Sequence, residues 1–502
     1  MWIALDGRGS LSEQVFRALC QAILGGTLPA SARLPPSRTL AAELGVSRNT
    51  VVLAYEQLLA EGYVQARVGS GTYVATELPE AARGLVGVGA TTADAQHATA
   101  APRVSRYARR LVTIMDEARL VWTPRTRSVP YDFRYARPSF EDFPHEAWCR
   151  VLARRARRAS VRALDYGSPA GAPELRQAVA TYLARARGVA CDPEQVLIVN
   201  GSQQALDLCA RVVLDPGDAV VTEDPGYPAA RAVFAALGAR VRPCPVDDKG
   251  IDVGARAFRS GARLAYVTPA HQFPTGATMP LTRRLELLAW ARRHDALVLE
   301  DDYDSEYRYR GRPVQALAGL DRDGRVLYAG TFSKLLFPAL RLGFLVLPPA
   351  LIEPFRRAKG AADTGSPTVL QLALADFLAD GHFERHLRRS RLRHAAIRRV
   401  MLESVAEHLG DAVEVAGADA GLHVLLWLRD SEPADAERLR RRAAELGVGI
   451  YPVTPFYAGS APRAGILLGW ASLGPREVRD GIRLLGTVLR VRPAKRQRQR
   501  RQ

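Results

Sequence analysis

At the start of the chain, apolar side chains recur at helical spacing. Leu11, Val15, Ala18, Leu19, Ala22 and Ile23 fall at i, i+4, i+7, i+8, i+11 and i+12, the stripe of an amphipathic helix, and Gly25-Gly26 ends it. The stretch Leu34-Pro-Pro-Ser-Arg-Thr-Leu-Ala-Ala-Glu-Leu44 predicts a short second helix with Ser37 as its N-cap, since a hydroxyl there accepts from an otherwise orphaned amide. Gly45-Val46 predicts a tight turn, and Ser47 the cap of a third helix carrying Val51, Tyr55, Leu58 and Leu59 on one face. Two short helices across a glycine turn make a helix-turn-helix. The second of them offers Arg48, Asn49 and Thr50 from its first turn, where recognition helices reach base edges. Tyr63-Val-Gln-Ala-Arg-Val68, Gly69-Ser-Gly71 and Thr72-Tyr-Val74 then read as strand, turn and strand: a wing.

From Thr76 the pattern lapses. Residues 84–102 are small, weakly charged and without period, the composition of a flexible tether. Arg103-Val-Ser-Arg-Tyr-Ala-Arg-Arg-Leu111 predicts a short basic helix, and regular patterning resumes near Tyr131. Beyond residue 140, short apolar runs alternate with helical segments: Val196–Val199, Ala219–Thr222, Leu264–Val267, Leu297–Glu300, Val326–Ala329 and Phe344–Leu347. This is an α/β pattern with a mainly parallel sheet. The expected division is 1–77 winged helix-turn-helix, 78–130 linker, 131–490 α/β domain and 491–502 a disordered basic tail.

Composition changes this picture little. The 502 residues are 47% hydrophobic, enough for sizeable cores, and a formal charge of +18 permits a polyanionic partner. Five scattered cysteines without a C-x-x-C pair offer neither a disulfide framework nor a zinc site, which fits a reducing cytoplasm; no metal is expected. No apolar run reaches membrane-spanning length, and Met1-Trp-Ile-Ala-Leu-Asp6 begins no signal peptide. One bias matters more. Of 70 basic residues only four are lysines: Lys249, Lys334, Lys359 and Lys495.

Lys334 lies just past an expected strand end, in Gly330-Thr-Phe-Ser-Lys334, where open α/β sheets place their chemistry. An amine can lose its proton when desolvated and condense with an aldehyde, which a guanidinium cannot do. Thr331, Ser333 and Arg341 are donors suited to a phosphate. Asn200-Gly-Ser-Gln-Gln204 opens a helix, so the amides of Ser202 and Gln203 make an anion site at its N-terminus. An amine beside a phosphate clamp suggests pyridoxal phosphate. In Leu299-Glu-Asp-Asp-Tyr303, Asp301 and Tyr303 share one face of a strand, a carboxylate for a pyridine nitrogen and a phenol two residues on. Tyr227, after Pro225-Gly226, could stack on an aromatic ring.

The string Leu34-Pro-Pro-Ser-Arg38, Leu44-Gly-Val-Ser-Arg-Asn-Thr50, Ala60-Glu-Gly-Tyr63 and Gly69-Ser-Gly-Thr72 resembles the GntR-type winged-helix DNA-binding domain over residues 8 to 75. That resemblance implies contacts with double-stranded operator DNA from Arg38, Ser47, Arg48, Asn49, Thr50, Arg67 and Gly69. Residues 130 to 490 resemble fold-type I aminotransferases, and the two together resemble MocR-type (GabR-like) transcriptional regulators. The resemblance implies Lys334 as the Schiff-base lysine, Asp301 at the ring nitrogen, Tyr303 at the 3′ oxygen and Tyr227 on the ring. It implies Ser202, Gln203, Thr331, Ser333 and Arg341 at the phosphate, with Tyr166 of Tyr166-Gly-Ser-Pro-Ala-Gly171 reaching the phosphate of the neighbouring subunit in a homodimer. The implied function is a regulator that senses a small amine, amino acid or vitamin B6 through aldimine formation. The alternative is a working aminotransferase with a DNA-binding arm.

Two departures set this chain apart from that pattern. Phe273-Pro-Thr-Gly276 stands where such enzymes have Asn-Pro-Thr-Gly, with His271 or Gln272 as possible substitutes. Gly465-Ile-Leu-Leu-Gly-Trp470 puts Leu467 where they carry a carboxylate-binding arginine, and Arg463 and Arg231 are nearby in sequence without the pattern placing either in the pocket. An enzyme without that arginine is expected to manage at most partial transamination.

Overall fold

Ser10 opens helix α1 (Leu11–Leu24) with a capping box: its hydroxyl accepts from the Glu13 amide, and the Glu13 carboxylate accepts from the Ser10 amide at 3.0 Å. The computed structural model describes residues 3–67, 69–76, 103–122, 129–259, 261–311 and 314–490. The tether from 78 to 102, Val68 of the wing and the tail 491–502 lie outside the described residues. The chain divides into two compact units, Met1–Arg103 and Val104–Gln502.

In the first unit α1 buries Val15, Leu19 and Ile23 against Leu40, Val51 and Leu58 of α2 (Ser37–Leu44) and α3 (Arg48–Ala60). Ser37 is the first helical residue of α2, not its cap. The N-cap is Pro36, which makes no side-chain bond, because two consecutive prolines already fix the extended entry. Gly45 ends α2 in the left-handed region at φ +66°, and Ser47 caps α3 by accepting from the Thr50 amide at 3.1 Å. Strands β1 (Val64–Arg67) and β2 (Gly71–Val74) pair antiparallel with Val64 opposite Val74 and Arg67 opposite Gly71, and both valines close the core.

The second unit begins with α4 (Arg106–Trp122), longer than the short basic helix expected within the linker. It packs along a later helix, α6 (Pro228–Leu237), with Leu111 and Ile114 half-buried on one side. Eight strands form the central sheet: β3 (Val196–Val199), β4 (Ala219–Asp224), β5 (Arg240–Asp247), β6 (Gly250–Ile251), β7 (Leu264–Val267), β8 (Leu297–Asp302), β9 (Val326–Thr331) and β10 (Gly343–Val346). Their order is β3-β10-β9-β8-β7-β4-β5-β6. β5, β4, β7, β8 and β9 run parallel; β10 is antiparallel to both its neighbours, and β6 is antiparallel to β5. Helices cover both faces, so β3, β7, β9 and β10 are buried throughout and appear in the sequence as unbroken apolar runs. A second, four-stranded antiparallel sheet follows the long helix His382–His408, and the last described helix is Pro475–Arg490. Among the described residues, no helix is long and apolar enough to cross a membrane.

Candidate functional site

Parallel pairing sets Ala329 beside Asp301 and Gly330 beside Asp302, so β9 and β8 end together and the chain after Thr331 turns over the end of β8. The turn delivers Lys334 into a cavity of about 570 Å³ whose wall also includes Asp301 and Tyr303. Lys334 is half-buried. Burial lowers its amine below the ordinary lysine range, and the nearby Arg341 adds to this, while Asp304 and Asp301 pull the other way. A lysine tuned downward more readily offers a neutral, nucleophilic nitrogen.

Asp301 is buried, and its Oδ2 accepts from the Tyr266 hydroxyl at 2.8 Å. Its Oδ1 has no hydrogen-bond partner among the described residues. Burial pushes the carboxyl up to about 6, against the Tyr266 bond that lowers it. A buried oxygen left bare on a cavity wall is a waiting acceptor, fit for a protonated ring nitrogen. Its neighbours in sequence point away. Glu300 accepts from the amides of Leu317 and Ala318 at 2.8 Å each, and Asp302 pairs with Arg187 at 2.7 Å.

At the other end of the cavity, Gly201 (φ +87°) is the N-cap of α5 (Ser202–Val213). A Cβ there would stand 3.2 to 3.3 Å from the Arg341 guanidinium, so glycine lets that side chain reach the helix start. Arg341 is itself held in the left-handed region (φ +52°), and its Nη2 donates to the Asn200 carbonyl at 2.5 Å. Ser202, Gln203, Thr331, Ser333 and Arg341 all line this end, a helix N-terminus with hydroxyls and a guanidinium. Behind it stands a group that sequence reasoning missed. Asp363 accepts from Asn200 Nδ2 at 2.7 Å and Gln204 Nε2 at 2.6 Å, and is paired with the wholly buried Lys359. The one available signal was that Lys359 is a rare lysine.

Tyr227 lines the wall and meets Phe273 edge-on at 6.0 Å. Phe273 also packs edge-on to Tyr303 and Phe456, at 6.0 and 5.1 Å. Gln272 does not substitute at the cavity. Its amide donates to Glu223, to the Pro225 carbonyl and to the Phe273 carbonyl, and its oxygen accepts from Thr275. His271 stands behind the wall and not on it, with Nδ1 3.0 Å from the Tyr303 hydroxyl. Leu467 is packed with Leu425, Val453 and Phe456. Neither arginine considered for its role lines the cavity. Arg463 binds Glu414 at 2.8 Å and covers Trp427, while Arg231 donates to the Phe456 carbonyl at 2.7 Å. Besides Lys334 and Arg341, the cations on the wall are Arg134 and Arg137. Arg134 Nε donates to the Tyr451 hydroxyl at 3.0 Å, Arg137 lies over the Phe140 ring, and Ala136 between them is left-handed (φ +56°). Sequence reasoning missed both, since nothing local marks the arginines that follow the two-residue strand Tyr131–Asp132.

Residues 139–466 match the model for aminotransferase class I and II, and residues 11–74 match that for bacterial regulatory proteins of the gntR family. The probable rhizopine catabolism regulatory protein MocR of Rhizobium meliloti is 41% identical over 482 residues, covering 96% of this chain and 94% of that one. The chain belongs to the MocR-type regulators of the GntR family. Another relative of this regulator, the HTH-type transcriptional regulator TauR of Rhodobacter capsulatus, is 34% identical over 97% of this chain and 98% of its own. Among solved structures it is similar to LysN, the alpha-aminoadipate aminotransferase of Thermus thermophilus complexed with N-(5'-phosphopyridoxyl)-L-leucine. There the TM-score is 0.69 at 30% identity, covering 77% of this chain and 97% of the other.

In this MocR-type regulator the residues picked out for DNA lie on one helix-turn-helix and its wing. Arg38, Ser47, Arg48, Asn49, Arg67 and Gly69 are exposed. Thr50 is half-buried, and its hydroxyl is tied to that of Ser47 at 2.8 Å. Arg67 lies over the Tyr73 ring. Tyr166 is not among the residues lining the cavity of its own chain; it is 88% exposed.

Proposed function

We propose that this regulator binds pyridoxal 5′-phosphate at Lys334, and that its grip on operator DNA responds to a small amine reaching that cofactor. The observation that carries this is convergence. A lysine with a lowered amine, a buried carboxylate with a bare oxygen and a helix-end anion cradle line one cavity. The residues present fit the cofactor: Ser202, Gln203, Thr331, Ser333 and Arg341 for the phosphate, Asp301 for the ring nitrogen, Tyr303 for the 3′ oxygen and Tyr227 for the ring face. Bound there, the cofactor supplies an aldehyde that condenses with amines and a ring that withdraws electrons. The protein's part is to hold the ring protonated at Asp301, to keep Lys334 poised and to exclude water with Phe273 and Tyr227.

Arg134 and Arg137 favour an effector that carries an anionic group as well as its amine, an amino acid or an amino-phosphate such as a form of vitamin B6. Such a ligand changes transcription only by binding one conformation of the protein better than another. We infer that two copies assemble with Tyr166 completing the partner's phosphate site, that the winged helix ends near residue 77 and the cofactor domain near 490, and that the protein works in the cytoplasm. The Lys334, Asp301 and Tyr303 set also supports the second reading, an aminotransferase, but Leu467 and its apolar neighbours leave that position without the usual arginine. With pyridoxal phosphate added, the wild-type protein is expected to show a visible absorption band that Lys334→Ala lacks. Amines titrated into the same sample should change the band and the affinity for operator DNA together. A band absent from wild type, or one kept by Lys334→Ala, overturns the cofactor site; many turnovers with a keto acid would make the enzyme reading correct.

A further inference from the structure

We propose that His271 and Asp304 form a couple, buried behind the cavity wall, that holds and polarises the hydroxyl of Tyr303. This deepens the cofactor reading above and rests on it for its consequence, though not for its geometry.

His271 Nδ1 lies 3.1 and 3.2 Å from the two Asp304 carboxylate oxygens and 3.0 Å from the Tyr303 oxygen. Three oxygens therefore surround one ring nitrogen. The other nitrogen, Nε2, is buried and has no hydrogen-bond partner among the described residues. A proton on Nε2 would be stranded, so the proton belongs on Nδ1, where it is shared between the carboxylate and the phenol. The Tyr303 hydroxyl in turn donates to the His271 main-chain carbonyl at 3.0 Å, so a single residue grips it as both donor and acceptor. Position 273, two residues along, offers the cavity only a phenyl ring.

The arrangement is built into the fold. Gly421 has φ +73°, and a Cβ there would stand 2.0 Å from His271 Cε1 and 2.6 Å from Asp304 Oδ2. Only glycine lets that backbone close over the pair. His423 lies beyond, its ring centroid 5.0 Å from that of His271 and its Nε2 3.2 Å from the Pro274 carbonyl. Burial, with His271 adding to it, pushes His423 down to about 3, so His423 stays neutral and does not compete as a cation for Asp304. The cluster His271, Asp304 and His423 has metal-ligand chemistry, but His271 Nδ1 is committed to Asp304 and His423 Nε2 faces a carbonyl. Besides Asp304, the carboxylates that act on Tyr303 are Asp301, Glu223 and Asp302. Asp304 is also the carboxylate with the largest pull on Lys334. The couple thus bonds to the phenol of the site and acts on its amine through charge alone. His271 is a positioning residue: it acts through Tyr303.

Two measurements test this. In cofactor-free protein carrying ¹⁵N-histidine, His271 is expected to show a protonated Nδ1 and a bare Nε2, with the resonance assigned by its loss in His271→Phe. That resonance should shift in both Tyr303→Phe and Asp304→Asn. With pyridoxal phosphate bound, the pH midpoint of the visible band should move in His271→Phe in the same direction as in Tyr303→Phe, by about 0.5–1 unit, as expected for one lost hydrogen bond. His271→Asn, which keeps a donor, should return part of the shift. An Nε2-protonated His271, or a midpoint that Tyr303→Phe moves and His271→Phe does not, overturns the couple. If wild type binds no cofactor, the proposed function fails, while the histidine resonances still judge the couple.

Discussion

Asp301 combines two conditions that seldom coincide, a carboxylate with one oxygen bonded to Tyr266 and the other bare, and burial that raises it to about 6. The same burial raises Glu223 and Glu300 to about 7. An acid whose folded value lies above its unfolded one contributes stability that is complete below the unfolded value and lost as pH rises through the folded value. For these three groups the window runs from about 4 to about 7. Across it these acids pull the thermal unfolding midpoint of cofactor-free protein down as pH rises, while His394 and His423, held by burial below the ordinary imidazole range, pull it up. Asp301→Asn should remove part of the downward pull, and a profile identical to wild type would show that Asp301 is already ionised there. Asp301, Tyr303 and Lys334 were legible in the sequence because each stands at a strand end, where position implies direction. Asp304 and Arg134 were not, and His271 stood only beside Gln272 as a substitute for the missing amide, since their roles depend on loops meeting across the fold.

Among the elements, α3 shows what one cap contributes. Ser47 satisfies the Thr50 amide and also fixes the Thr50 hydroxyl, so it anchors the turn that presents Arg48 and Asn49. Ser47→Ala is expected to lower the stability of the winged-helix unit by about 1 kcal/mol, read from its denaturant unfolding by circular dichroism, and to weaken operator binding. Unchanged values for both would remove Ser47 from either role. The strands followed readily from the sequence where both faces are covered, as in Val196–Val199 and Leu264–Val267, because burial on two sides leaves no polar position. Arg240–Asp247 escaped notice. It lies near the sheet edge, is largely exposed, and carries Pro243 and Pro245, so its sequence has no apolar run. Ser37 misled for a local reason: it has the chemistry of a cap but follows two prolines that make one unnecessary.

For the whole molecule, Val161, Leu164 and Tyr166 expose 84, 72 and 88% of their surfaces on one short segment. Such a segment suits a subunit junction, and Tyr166→Ala is expected to weaken pyridoxal phosphate binding about tenfold, the worth of one charge-assisted hydrogen bond. Equilibrium titration of the visible band would measure it, and an unchanged affinity would place Tyr166 outside the site. The scarcity of lysine has a different consequence. Lys359 is sealed and paired with Asp363, Lys334 lies in the cavity, and Lys249 is exposed on a turn. Any aldehyde that encounters this protein finds very few primary amines to condense with. Random modification, which blurs the stoichiometry of carbonyl reagents on lysine-rich proteins, is thereby suppressed by composition. Borohydride trapping followed by peptide mapping should consequently resolve a single dominant adduct, making this chain an unusually clean substrate for footprinting by reductive labelling.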